Sequence, residues 1–455
     1  MIITSKEQLK ALSSKEDPPL LSDRVESSLQ VLTPEEIFTR DLYQEHLEEI
    51  GFLLFQCKDL FDDMDVNWPK IKAFEKRLDA HLDAIQVGGP PAFKCVTLFL
   101  SDDDEDNIFA AAYTLTSMEY DRDGENIDLV IKSLIDSYDT EDNDLSAIYV
   151  KALKYGQNPL IKDKLEALLT HEQFSIQATA VEILTYRREG DPAKVVELVR
   201  SPEPALRVAA IHFLGWAGHR DVLPFLKRFL SHTRDPNWEK LVLASLQLGS
   251  ATGLNHARTA CQSESTVTEH LPLYIALAGD LTDLNLLIST LCFQKLNNTV
   301  VEGIGVIGDV KAIPILIEKL KTEDEKLKLK IAYSLELITG AGLTEEHVVE
   351  DEGVDVNAMS PEQWTQWWQA NQNRFDSNTR WRRGKPFTLG ACIEEMTDPK
   401  RRYCERQRAY LELIIRSGVY IPFEADWFIP KQQEAIGKWE EWWAENKEQS
   451  IRSKG

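Results

Sequence analysis

Leu206-Arg207-Val208-Ala209-Ala210-Ile211-His212-Phe213-Leu214-Gly215-Trp216-Ala217-Gly218 is the stretch that decides the fold. Its large apolar side chains recur at helical spacing, its two alanines let another helix approach closely, and Gly218 supplies a left-handed stop. Just upstream, Pro192 to Val199 reads as a second helix, and Ser201-Pro202 reads as an N-cap followed by a proline at the first helical position. The same two-helix unit recurs along the chain. Glycines ending apolar stretches fall at Gly156, Gly190, Gly218, Gly249, Gly279, Gly308 and Gly340, separated by 34, 28, 31, 30, 29 and 32 residues. Asp309 to Leu320, a charged turn, and Lys328 to Gly340 form another clear copy.

The run from Leu206 to Gly218, and Gly308-Asp309 followed by Pro314, resemble the HEAT-like repeat family in its short form. The resemblance implies an all-α, right-handed α-solenoid with about six to eight helical hairpins between residues 91 and 340. A hairpin with two apolar faces cannot bury both alone, so neighbours must stack. Fold by itself assigns no function.

Residues 1–90 read as an N-terminal helical cap. Thr33-Pro34-Glu35-Glu36 is a capping box that opens one helix, and Phe74, Arg77, Leu78, His81, Leu82 and Ile85 mark a second, stopped by Gly88-Gly89-Pro90-Pro91. Within this hairpin, His46 to Leu53 and Glu75 to Ala84 resemble the opening of a bacterial HEAT-repeat family found near type VI secretion gene clusters. That resemblance implies a secretion-linked protein partner and brings no catalytic activity with it.

Residues 341–455 hold 8 of the 11 tryptophans. Trp364, Trp367, Trp368 and Asn371 repeat the spacing of Trp439, Trp442, Trp443 and Asn446, placing three indoles on one helix face each time. Core burial is the favoured reading, and an aromatic partner-binding surface the alternative. The residues two before each repeat glycine change from polar (Lys154, Arg188) to apolar (Leu277, Val306, Ile338) along the array. An exposed apolar row invites aggregation, so the Trp-rich module is expected to dock on the last repeats.

Charge is unevenly spread. The chain carries 51 basic and 75 acidic side chains, and residues 1–158 alone account for 15 and 33 of them. That acidity disfavours general nucleic-acid binding and anionic lipid. The six cysteines lie far apart, which fits neither a disulfide framework nor a zinc knuckle. Met1 to Glu7 lacks the charged and apolar regions of a secretion signal, and no apolar run reaches membrane-spanning length. The expected location is cytoplasmic, without membrane insertion.

Several motifs point to chemistry only superficially. Gly303-Ile304-Gly305-Val306-Ile307-Gly308 matches a dinucleotide fingerprint, but it follows a helical stretch where a strand is required. Asp102-Asp103-Asp104 lacks the glycine and glutamate of a calcium loop and reads as a solvated turn, or as a docking patch for a basic partner. HEAT-like di-iron hydroxylases repeat a His-Glu pair across several units, whereas here only His171-Glu172 forms one. HEAT-like alkylpurine glycosylases need a basic concave face, which this acidity opposes. The basic cluster Arg380-Trp381-Arg382-Arg383 is read as a protein-contact surface in preference to a nucleic-acid site. Val208, His212 and Trp216 form a stripe at i, i+4 and i+8 suited to anchoring a peptide or packing on a neighbouring repeat.

The sequence therefore points to a non-enzymatic protein-binding scaffold or adaptor without cofactor or metal. Its partner would be another protein, by resemblance a component, effector or cargo of a type VI secretion system. The alternative is a HEAT-like enzyme or cofactor-handling protein of the bilin-lyase type.

Overall fold

The computed structural model describes residues 34–62, 67–118, 123–139, 143–231, 237–293, 297–344, 348–349, 353–354 and 360–452. Thr33, the first residue of the expected capping box, lies outside them. The fold opens on a hairpin of α1 (Pro34–Asp62) and α2 (Lys72–Leu98). Gly89, at φ 60° and ψ −147°, breaks α2, and helical structure resumes at once beyond it.

Helices then alternate between two layers: α3 (Glu105–Ser117), α4 (Glu125–Asp139), α5 (Asn143–Tyr155), α6 (Ile161–Leu168), α7 (Phe174–Arg187), α8 (Pro192–Val195), α9 (Pro204–Trp216) and α10 (Leu223–Phe229). The alternation continues through α11 (Trp238–Gln247), α12 (Ala251–Ala260), α13 (Leu271–Ala278), α14 (Leu284–Thr290), α15 (Asn297–Ile307), α16 (Ile313–Lys319) and α17 (Glu325–Thr339). Odd-numbered helices from α3 to α17 pack successively into an inner row, and even-numbered ones form the outer layer. The result is the expected all-α solenoid, its buried core continuous from Leu47 to Ile338.

Local sequence explains the geometry. Helix α9 begins at Pro204, two residues after the expected Ser-Pro start, because the Glu203 carboxylate caps it by accepting from the Ala205 N–H. At its far end Gly218 adopts φ 68°. Helix α7 stops earlier than its glycine suggests, at Arg188 with φ 56°, and Gly279 is extended. The glycines of the fingerprint-like run are packing devices: a Cβ on Gly305 would lie 2.9 Å from the Ser334 Cα of α17, and Gly308 ends α15 at φ 69°. Gly303 and Gly305 lie within α15, so the residues leading into the run are helical from Asn297 onward.

The remaining chain forms helices α18 (Pro361–Asn371), α19 (Leu389–Thr397), α20 (Tyr403–Ser417) and α21 (Ile429–Arg452). Two minimal hairpins accompany them, β1 (Val348–Val349) with β2 (Gly353–Val354), and β3 (Trp381–Arg382) with β4 (Lys385–Pro386). Arg383 and Gly384 both adopt positive φ, the geometry of a tight two-residue hairpin turn. Ser360 caps α18 as its sequence indicates, accepting from Glu362 and Gln363 N–H groups.

Gly308 has a second constraint besides its φ, because a Cβ there would collide with the Trp381 carbonyl. Gly308→Ala should therefore destabilise by about 2–4 kcal/mol in denaturant titrations. Gly437→Ala, within α21 where nothing lies near the added methyl, should be neutral or stabilise by up to about 1 kcal/mol.

Candidate functional site

The inner row presents its helix C-termini side by side, and each leaves backbone carbonyls without partners in its own helix. The C-terminal module meets them one after another. Arg380 Nη2 donates to the Val306 carbonyl at 2.7 Å, and the Trp381 N–H donates to Gly308 at 2.8 Å. Arg383 and Gly384 N–H groups donate to Leu337 and Ile338 at 2.7 and 3.0 Å. Arg416 Nη2 reaches the carbonyls of Ala276 and Gly279, and the Tyr420 hydroxyl that of Gln247 at 2.7 Å. Cationic donors at these ends also complement the helix dipoles.

The contact extends well beyond the last repeats. Tyr155 and Tyr186 hydroxyls donate to Asp426 at 3.1 and 2.9 Å, and Arg188 pairs with Glu424. At the opposite end of the molecule the Ile429 N–H donates to both Glu75 carboxylate oxygens. Trp68 Nε1 donates to the Asp398 carbonyl at 3.0 Å, and the Arg406 guanidinium stacks over that indole at 3.7 Å. The two tryptophan motifs thus go to different places. Trp364 is buried in the solenoid core beside α16, whereas Trp439 is buried in a second core with Trp68, Ile71 and Met396. In both, the terminal asparagine donates to the carbonyl four residues back, Asn371 to Trp367 and Asn446 to Trp442.

This arrangement corrects the expected partner surfaces. Arg380, Trp381, Arg382 and Arg383 form no exposed basic patch, and Arg382 is only 2% exposed. Arg382 pairs with Glu412 at 2.6 Å and with Glu395 at 3.2 Å. Arg380 also pairs with Glu412, and Arg383 with Glu395 and Glu405 at 3.4 Å each. Burial alone would raise the Glu412 carboxyl, yet Arg380, Arg382 and Arg416 hold it far below the ordinary range. Trp381 is buried against Phe375. The hairpin these residues form escaped the sequence reading, although Arg383-Gly384 between short apolar and basic pairs carried its signal.

The stripe Val208, His212 and Trp216 is likewise occupied. Val208 is buried, and the His212 Nε2 accepts from Trp216 Nε1 at 3.1 Å. Burial, then the Arg188 and Lys240 charges, lowers His212 to about 3, so its ring stays neutral. Trp216 stacks on Tyr410 with ring centres 5.7 Å apart, and its indole carries the Arg188 guanidinium at 3.7 Å. These side chains anchor the chain's own module.

The acidic turn stays at the surface. Asp102 and Asp103 are partly or fully exposed, and Asp104 caps α3 by accepting from the Asp106 N–H at 2.9 Å. The lone His171 accepts from the Gln173 N–H beside an exposed Glu172. Among the described residues no three His, Cys, Asp or Glu side chains converge as metal ligands, and no helix is long and apolar enough to cross a membrane.

With this geometry established, comparison with known proteins identifies the repeats. The HEAT-repeat family matches residues 161–247, from α6 to the end of α11. That stretch of the array is similar to HEAT repeats. Among solved structures an engineered protein is similar at 12% identity and a TM-score of 0.27, over 82% of this chain and 99% of that one. Human deoxyhypusine hydroxylase in complex with glycerol is similar at 13% identity and a TM-score of 0.20, over 65% of this chain and 97% of that one. Likeness this loose carries no functional argument. No curated protein matches the chain.

Substitutions at the interface, with an exposed surface pair as control, test this packing. Arg382→Met leaves Glu412 and Glu395 short of a buried partner and should destabilise by about 3–5 kcal/mol. Arg200→Ala, which removes an exposed pair with Glu197, should change stability by less than about 1 kcal/mol. Burial raises Glu75 to about 7, above its ordinary 4.5. The site therefore favours the protonated form, and the stability Glu75 contributes below pH 4.5 is lost as the pH rises through 7. Glu75→Gln should be more stable than the wild type by about 2 kcal/mol near pH 8. In thermal melts that advantage should shrink steadily on acidification.

Proposed function

We propose that this HEAT-like chain is a non-catalytic protein-binding scaffold whose free surface is its N-terminal third. HEAT repeats commonly act as protein-interaction scaffolds. The observation that supports the location is the distribution of exposed apolar side chains. Among the described residues, the large ones (Phe38, Leu42, Phe52, Phe55, Val87, Leu98, Leu129 and Phe174) all lie between positions 38 and 174. Phe38, Leu42, Phe52 and Phe55 follow one face of α1, interspersed with Asp41, Glu45, Glu48 and Asp59.

Exposed phenylalanines among carboxylates suit a partner that is apolar and basic. Asp102, Asp103 and Asp104 extend the same charge. The inner row, where many solenoids bind ligands, is filled by the chain's own module. The finer reading, a component, effector or cargo of a type VI secretion system with this chain as adaptor, chaperone or immunity-like binder, rests on the His46–Leu53 and Glu75–Ala84 resemblance alone.

Affinity purification from the native cell, comparing wild type with a Phe52→Asp/Phe55→Asp double variant, tests the proposal. A stoichiometric protein partner should co-purify with the wild type, and its recovery should fall at least about tenfold with the variant. Equal recovery with both proteins would relocate the surface, and absence of any partner would remove the scaffold reading.

A further inference from the structure

A cavity of about 470 Å³ lies where the lead-in hairpin, the first inner helices and the C-terminal module meet. Its volume falls within the range of small-molecule sites. Leu54 and Cys57 of α1 and Phe109 of α3 supply buried apolar walls, Val150 of α5 adds another, and Phe428 closes it from the module side. Ala147, one helical turn before Lys151 on α5, is exposed at the opening.

The charged groups of the lining answer one another, and this decides what can enter. Two are acids, Glu75 and Asp426, and two are lysines, Lys151 and Lys154. Asp426 gives one oxygen to the Tyr186 hydroxyl and the other to that of Tyr155, at 2.9 and 3.1 Å. Burial pushes its carboxyl up, while those two hydroxyls and the Lys154 charge pull it back down. Lys154 therefore already acts on Asp426 within the cavity, and its Nζ also lies 5.7 Å from the Tyr186 ring centre. Lys151 holds its Nζ over the Phe109 ring at 4.0 Å and has a further interaction of its own. Both Glu75 oxygens accept from the Ile429 N–H.

A charged guest finds a partner here only by displacing one of these contacts, and burying a charge without a partner is costly. At about pH 8, above the value of about 7 to which burial raises Glu75, two carboxylates balance two ammonium groups and the lining favours neither sign. A neutral guest breaks nothing. It gains instead from the apolar walls and from the rings of Phe109, Tyr155, Tyr186 and Phe428, whose edges and faces suit another ring.

We propose that this cavity binds a small neutral aromatic molecule, a mono- or bicyclic aryl compound, packed among Leu54, Phe109, Val150 and Phe428. The site is separate from the proposed partner surface, because α1 turns Phe52 and Phe55 outward while Leu54 and Cys57 face the cavity.

The test uses the full chain at about pH 8 and equilibrium dialysis with three naphthalene probes of matched shape. They are the neutral 2-naphthalenemethanol, the anionic 2-naphthoate and the cationic 2-naphthylmethylammonium. The alcohol should bind saturably at one site per chain, and each charged probe at least about fivefold more weakly. Ala147→Trp, which fills the opening from an exposed position, should weaken alcohol binding at least about fivefold. Ala147→Met, a smaller filling of the same opening, should weaken it in the same direction and keeps the location testable if the tryptophan variant does not fold. Unsaturable binding of the alcohol, or a penalty below about fivefold for either charged probe, would overturn the proposal. So would a smaller loss in a tryptophan variant with wild-type circular dichroism or, where that variant does not fold, no loss with Ala147→Met.

Discussion

A solenoid of stacked hairpins lines up the C-terminal ends of its inner helices, and with them a row of carbonyls that no residue of the same helix can satisfy. In this protein that row is the feature on which the rest of the structure depends. The module beyond residue 360 answers it with guanidinium groups, a tyrosine hydroxyl and the backbone of a two-residue hairpin turn. The close fit explains why the repeat glycines nearest the hairpin tolerate no side chain. A Cβ on Gly340 would lie 2.6 Å from the Arg383 carbonyl carbon, as Gly308 is closed off by Trp381.

Bringing arginines to the carbonyls creates a second problem, the burial of their charge. The solution is local to the module. Glu395, Glu405 and Glu412, on α19 and α20, are shared among Arg380, Arg382, Arg383, Arg408 and Arg416, and Arg408 also reaches Glu302 of the repeat array at 3.2 Å. Burial depresses Arg406, which among the described residues pairs with no carboxylate; it is held instead by the Met396 carbonyl, Gln432 and the Trp68 ring. Each partner is needed because removing one leaves another charge stranded in a low-dielectric interior.

The repeat architecture was legible because it is written in local signals. Left-handed stops at Gly218, Gly249, Gly308 and Gly340 and helical spacing between them depend only on neighbouring residues. The apolar drift from Arg188 to Ile338 called for a cover, since apolar character is a property of the residue itself. The site was less legible. An arginine next to a tryptophan reads the same whether it faces water or a glutamate about 30 positions away, as Arg382 and Glu412 do. The link from Glu75 to Ile429 spans 354 positions and leaves no periodic trace. The cavity of about 470 Å³ between the lead-in hairpin, the first inner helices and the module is harder still, because its walls come from seven separate stretches of chain that only the closed fold brings together.

With the inner row met by the chain's own module, the surface proposed for a partner lies toward the acidic N-terminal third. The central claim is that the Arg383-Gly384 hairpin is part of the array's folded core. Residue-resolved hydrogen exchange measures this directly through the amides of Trp381, Arg383 and Gly384, which donate to Gly308, Leu337 and Ile338. The account predicts exchange only through global unfolding, at the same free energy as the core amides of α15 and α17. Exchange of those three amides at rates typical of an exposed hairpin, with α15 and α17 still protected, would contradict it.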